Sequence, residues 1–297
     1  MRGLEVQAIE NHVVLVVGSL HHDIMIEAPH LPRVDETAVG RRWWPKFGGK
    51  GGNQAVAAAA AGVAARMAGA VGRDGFGAFL TAALDAGGVD RRFVAEVEGT
   101  GSGMSVAIVE DGGDYAATIV SGANLRIDPA TLEEAALWEG VAVLILQNEV
   151  PEAVNLAAAR AARARGVRVV LNAAPARDLP KDIEGLVDVL VVNAVEAEMM
   201  GAGVVDGLEA AARAAEALAR RFAAVVVTAG AKGLAARAEG VALALPAVPV
   251  TVVSSHGAGD CFTGTLAAAL ARRAGLEAAC RAASDAAARH VSRAGDT

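Results

Sequence analysis

The chain has 297 residues, 54% of them hydrophobic, with 34 acidic side chains against 27 Lys and Arg. That length fits one large α/β domain, and a net charge of −7 without a basic run excludes electrostatic partnership with nucleic acid or an anionic membrane. Aromatics are only 3%, too few for a base-stacking platform, and two cysteines make no disulfide scaffold, which fits a reducing, cytoplasmic setting.

In chain order, "VVLVVGS" (13–19) reads as a buried strand, followed by a polar, Pro-containing stretch (24–46) that holds Trp43 and Trp44. "GNQAVAAAAAGVAARMA" (52–68) and "FGAFLTAALDAGG" (76–88) read as helices, and "SVAIVEDGGDYAATIV" (105–120) as a hairpin around a glycine turn. Strand 141–147 leads to helix 151–166, which has Pro at its first turn and Gly at its end. Strands 167–172 and 187–193, helix 207–222, strand 223–230 and a short hairpin over 233–245 follow. Helices at 258–273 and about 276–293 finish the pattern. Continuous apolar strands separated by helices predict a parallel sheet covered on both faces. The 24–46 stretch and the hairpin predict a small separate sheet, a lid over the main domain. No apolar run reaches the roughly 20 residues that span a bilayer, and the N-terminus lacks a secretory pattern.

Ligands of open parallel sheets bind at the carboxyl ends of the strands, so the chemistry is sought there. "GGKGGNQA" (48–55) packs four glycines with Lys50, Asn53 and Gln54 at a helix start. It is no Walker loop, because Gly51 follows Lys50, and no dinucleotide fingerprint, because Gln54 stands where the third glycine belongs. Its donors suit a polyhydroxylated ligand, and a plain glycine turn before a helix is the bland alternative. "GAGD" (257–260) sets a carboxylate behind three amides at a helix N-terminus. Such a group stabilises its own helix, or takes a proton from an attacking hydroxyl while the amides hold phosphoryl oxygens. Glu196 and Glu198 also read as helix-start carboxylates, Lys232 as a solvated turn residue, and Cys261 as helix packing. Adjacent His21 and His22 face opposite ways on a strand and cannot share one metal ion.

Taken together, "GGKGGNQA", "AGAVGRDGFG" and "GAGDCFTG", with "VVGSLHHD", "SGAN", "LQNEVP", "LNAAPARDLP", "VNAVEAE" and "VTAGAKG" in order, resemble the ribokinase-like (phosphofructokinase-B type) sugar kinase family nearly end to end. The resemblance implies a single domain over 1–297, a three-layer α/β/α sandwich with a mostly parallel sheet. Its β-lid, formed by about 24–46 and 104–120, also makes a homodimer contact. It implies transfer of a phosphoryl group from ATP, with Mg²⁺, to a primary hydroxyl of ribose or a related sugar. Asp260 would be the general base and Gly257, Ala258 and Gly259 the anion hole. His21, Asp23, Gly49, Lys50, Asn53 and Glu149 would bind the sugar. Asn193, Thr228, Gly230, Lys232, Gly233 and Ser284 would line the nucleotide groove, and Glu196 would reach Mg²⁺ through water.

The chain departs from the pattern in places. His21 stands where such kinases usually carry Asn, and Ser254-Ser255 replaces an Asp-Thr pair that helps bind an activating K⁺. The sequence ends soon after "HVSRAG", where the pattern usually continues. A nucleoside kinase of the same fold, and a sugar-binding homologue with impaired catalysis, are the alternative readings.

Overall fold

The structure is a computed structural model that describes residues 12–112 and 115–293. Its chain begins with β1 (Val13–Val17), then leaves the main sheet for two long strands, β2 (His21–Ala28) and β3 (Arg42–Gly48). Helix α1 (Lys50–Ala60), β4 (Ala65–Gly72), α2 (Gly75–Ala86) and β5 (Val89–Val97) return to it. The hairpin β6 (Met104–Glu110) and β7 (Tyr115–Val120) follows. Next come β8 (Val141–Gln147), α3 (Glu152–Ala164), β9 (Arg168–Asn172), α4 (Lys181–Glu184), β10 (Val189–Asn193), α5 (Ala194–Met199) and α6 (Leu208–Leu218). The chain closes with β11 (Ala224–Thr228), β12 (Leu234–Ala238), β13 (Val241–Leu245), α7 (Ala258–Ala271) and α8 (Leu276–Ser292).

Nine strands form one sheet in the order β13-β12-β11-β10-β9-β8-β1-β4-β5. Every pairing from β5 to β11 is parallel, and only the β11–β12 and β12–β13 edge is antiparallel. Period-two alternation sends each strand into two cores at once. Leu15, Val17, Leu144 and Leu146 face α3 and α6, whereas Val14, Val16, Val143 and Ile145 face α1, α7 and α8. The remaining strands form a second sheet, β3-β2-β6-β7, in which β2 and β6 run parallel. This agrees with the expected three-layer sandwich and separate small sheet. Among the described residues no helix is long and apolar enough to cross a membrane.

The expected helix over 52–68 is a helix and a strand instead. α1 stops at Ala60, Gly62 turns the chain at φ +83°, and all eight residues of β4 are buried between β1 and β5. Alanine's helical preference is a weak prior, and the two flanking strands override it. Strand β5 carried no sequence expectation, and the small sheet starts at His21, three residues before the expected lid boundary.

Arg66, which falls within the expected 52–68 helix, is a buried strand residue. Its Nε donates to Asp90 at 2.8 Å, while Nη1 donates to the carbonyls of Ala136, Leu137 and Glu139 at 3.2, 2.7 and 3.1 Å. Hydrogen bonds from Arg92 and Arg66 hold the Asp90 carboxyl far below its usual range. Arg66→Met should lower unfolding free energy by about 2–4 kcal/mol, because an acceptor cluster and a carboxylate lose their donor. Urea denaturation followed by circular dichroism measures this, and a loss below about 0.5 kcal/mol would count against the clamp.

Candidate active site

The glycines of 48–52 are set by crowding from β1 and β2. Gly49 has φ +86°, and a Cβ on it would stand 2.7 Å from the His21 amide nitrogen. A Cβ on Gly51 would stand 2.6 Å from the Ser19 nitrogen, and one on Gly48 would collide with the Asp23 carboxylate. Only bare backbone can therefore bring the α1 N-terminus this close to the end of β1. The approach places Lys50 N–H 2.9 Å from Glu149 Oε2, which also accepts from Ser19 Oγ at 2.5 Å. Asp23 accepts from Ser105 Oγ at 2.5 Å, across the parallel β2–β6 pair. Asn124 clamps the β1–β2 turn by accepting from Leu20 N at 2.9 Å and donating to Leu20 O at 2.8 Å.

His21 and His22 do face opposite ways. His22 stacks on Phe76 with ring centroids 4.1 Å apart and meets Phe79 edge-on. His21 turns towards Glu149, with Nδ1 3.8 Å from Oε2, and its Nε2 is buried without a partner. Burial lowers its pKa despite the nearby carboxylates of Glu149 and Asp23, so the ring is held neutral. A neutral imidazole with an open nitrogen suits a hydroxyl ligand.

Across the cleft, α7 packs so tightly on α1 that a Cβ on Gly264 would stand 2.5 Å from Gln54 O. That contact brings Asn53 Nδ2 to 3.3 Å from Asp260 Oδ2 and Gln54 Nε2 to 2.9 Å from Oδ1. Gln54 Nε2 also donates to Asn172 Oδ1 at 3.0 Å. Asp260 is 9% exposed, and burial pushes its pKa up to about 6, with Lys50 and the two amides opposing. The folded state thus holds this proton more tightly than the unfolded chain, a contribution present below about pH 4 and lost as pH rises through 6.

Beside Asp260, Gly257 adopts a left-handed φ of 77° at the α7 N-cap. The Ala258 amide is already bonded to Ser255 O at 3.3 Å. Gly257 and Gly259, not Ala258, line a cleft of about 190 Å³ together with Lys50, Asn172, Asn193, Glu196, Thr228 and Asp260. Asn193 and Glu196 form a capping box, with Glu196 N donating to Asn193 Oδ1 at 2.9 Å and Asn193 N donating to Glu196 Oε2 at 2.8 Å. Burial raises the Glu196 pKa. A second, larger cleft of about 990 Å³ opens from Asp260 and Asn53 along α1, α7 and α8, past Lys46, Ser254, His256 and Arg289.

The structure therefore gathers Asp260, Gly257, Gly259, Lys50, Asn193, Glu196 and Thr228 around one cleft, with Asn53 and Glu149 bonded to its walls. Ser254 lies on the larger cleft, whereas Gly230, Lys232, Gly233 and Ser284 line neither. Sequence reasoning counted Gln54 among the donors of the glycine motif and assigned no individual site role to it, Asn172, Ser19 or Ser105. Gln54 carried a signal as the third polar residue of the glycine motif, and Ser19 and Asn172 as polar residues at strand ends. Burial raises the Cys261 thiol pKa, which fits packing and not nucleophilic chemistry.

A glycine-built cleft meeting a buried carboxylate at a helix N-terminus, on the edge of a parallel sheet, suits group transfer to a hydroxyl compound. The chain belongs to the pfkB family of carbohydrate kinases, whose family model matches residues 11–297, and is thus a phosphotransferase with an alcohol acceptor. It is 36% identical over 267 residues to mouse ribokinase, covering 88% of this chain and 83% of that protein. Against Bacillus subtilis ribokinase it is 33% identical over 275 residues, covering 92% and 91%. The fold matches Arabidopsis thaliana ribokinase complexed with ribose and ATP at TM-score 0.88 and 28% identity, over 95% of this chain and 93% of that one. It matches Cryptococcus neoformans ribokinase in complex with ADP at TM-score 0.81 and 27% identity, over 95% of both.

Gln54→Leu removes a donor that favours ionised Asp260. The acidic limb of the activity profile should move up by about 0.5–1 pH unit, since one such bond is worth roughly 0.5–1.5 kcal/mol. An unmoved limb in kcat/KM against pH would contradict the bond's role.

Proposed function

We propose that this chain is an ATP-dependent ribose kinase with Asp260 as general base. The observation that carries the reading is a buried, high-pKa carboxylate held by the Asn53 and Gln54 side-chain amides beside Gly257 and Gly259 at the α7 N-terminus. The sugar lies over Gly49 and Lys50, with Asp23, Asn53, Glu149 and the open His21 nitrogen as hydroxyl partners. Asp260 takes the proton of the primary hydroxyl as that oxygen bonds to the γ-phosphorus. The bond from phosphorus to the bridging oxygen breaks, and ADP leaves. The Gly257 and Gly259 amides, with Lys50, hold the phosphoryl oxygens through the transfer. Thr228 flanks the phosphates, and the turn with Gly230, Lys232 and Gly233, with Ser284 on α8, holds the rest of the nucleotide.

Mg²⁺ fits as an ion carried by the nucleotide. The described residues contain no cluster of three carboxylate, His or Cys side chains that could hold a metal ion, but Glu196 and Asn193 line the cleft and would hold Mg²⁺ through water. Bound there, it would neutralise phosphate charge. Ser254 offers only a neutral oxygen to a monovalent cation, so activation by K⁺ should be weak.

The outer face of the small sheet carries Ile24, Ile26, Trp43, Pro45, Val106 and Ile108, none of them buried. We assign this face to a cytoplasmic homodimer formed lid to lid. Sedimentation velocity checks the assignment, and a monomer at micromolar concentration would contradict it.

Asp260→Asn should lower kcat by about 10²–10⁴-fold with the sugar KM little changed. In the parent enzyme, kcat/KM should fall tenfold per pH unit below about 6, where Asp260 is protonated. A coupled ADP-release assay with ribose, 2-deoxyribose, fructose and nucleosides reads both. No turnover on ribose would sink the substrate assignment, and an active Asn variant would sink the base.

A further inference from the structure

The last turn of α8 is fastened to the loop that leads into α7. The amides of Val253 and Ser254 donate to Val291 O at 2.7 and 3.2 Å, using a carbonyl that a helix C-terminus leaves unpaired. One residue earlier, His290 Nε2 lies 2.9 Å from His256 O. The acceptor is a carbonyl, so the imidazole is the donor. The ring also stands against the anion site, because a Cβ on Gly257 would sit 3.2 Å from His290 Nε2.

A trans peptide holds its C=O and N–H antiparallel in one plane. A bond to His256 O therefore aims the N–H of Gly257 the opposite way, and Gly257 lines the phosphoryl cleft. Without that bond the peptide is poorly fixed, because glycine on its C-terminal side populates both signs of φ at little cost. The neighbouring amides are tied elsewhere, His256 N to Ser254 Oγ at 3.3 Å and Ala258 N to Ser255 O at 3.3 Å. The His256 carbonyl has His290 as its partner.

We propose that His290 is a positioning residue for phosphoryl transfer, fixing the 256–257 peptide so that the Gly257 amide meets the transferring phosphoryl oxygens. The proposal rests on the anion-site reading above. His290 lies on the larger cleft and is exposed to solvent, so its removal leaves the core intact.

Deleting an oxyanion donor outright costs roughly 10²–10³ in kcat, and loosening one costs less, about tenfold. His290→Ala should lose kcat on that scale, with KM for ATP and sugar within about twofold and an unchanged melting temperature. His290→Gln carries an amide donor of similar reach and should recover most of the loss, and added imidazole should partly restore His290→Ala. A His290→Ala enzyme with parental kcat, or one that neither Gln nor imidazole restores, overturns the positioning role. Asp260→Asn measured alongside separates the two readings. If it is inactive while His290→Ala is normal, only the positioning role falls, whereas an active Asp260→Asn removes the phosphoryl-transfer reading itself.

Discussion

Gln54 Nε2 sits between Asn172 Oδ1 and Asp260 Oδ1, at 3.0 and 2.9 Å, and so ties together α1, the end of β9 and the start of α7. That single amide needs two helices closer than ordinary side chains allow. Gly264 opens the approach on α7, and fully buried Ala55, Ala58, Ala267 and Ala268 keep both helices slim. The alanine content thus has a functional consequence. Close packing desolvates Asp260, desolvation raises its pKa to about 6, and the two amides keep it aimed.

The parallel sheet supplies the other half of the geometry. Gln147, Asn172, Asn193 and Thr228 are the last residues of β8, β9, β10 and β11, so the polar groups lie along one edge. Helices α1, α5 and α7 begin at that same edge; the first amides of α1 bond to Glu149 and Ser19, α5 is closed by its capping box, and α7 brings Gly257 and Gly259 to the cleft. On the small sheet, Asp23, Lys46 and Ser105 share one face, with Lys46 on the larger cleft, and the apolar face is the other one. Desolvation of Lys46 lowers its pKa, with Asp23 opposing from the adjacent strand.

Local signals carried most of this. The strand-and-helix alternation, the two glycine motifs and the polar strand ends were readable because each is a run of neighbouring residues. The 52–68 segment was not, because its composition is helical and only burial between β1 and β5 makes Ala65–Gly72 a strand. The Gln54 bridge joins positions 118 and 206 residues apart, and no spacing rule reaches that far. Asn193 and Glu196 were legible as a pair, but the structure adds a capping box that locks the short α5, which their expected place near phosphates did not require. The helix N-terminus at Gly257 and Gly259 was legible, while Ala258 was not separable from them until its amide was seen bonded to Ser255.

The account stands or falls on the state of one carboxylate. Carbon-detected NMR titration of side-chain carboxyls, with Asp260→Asn to assign the resonance, measures it without reference to any substrate. A midpoint near pH 6 is predicted. A midpoint at or below the ordinary aspartate value of about 3.9 would contradict the desolvated pocket and the base it is built to hold.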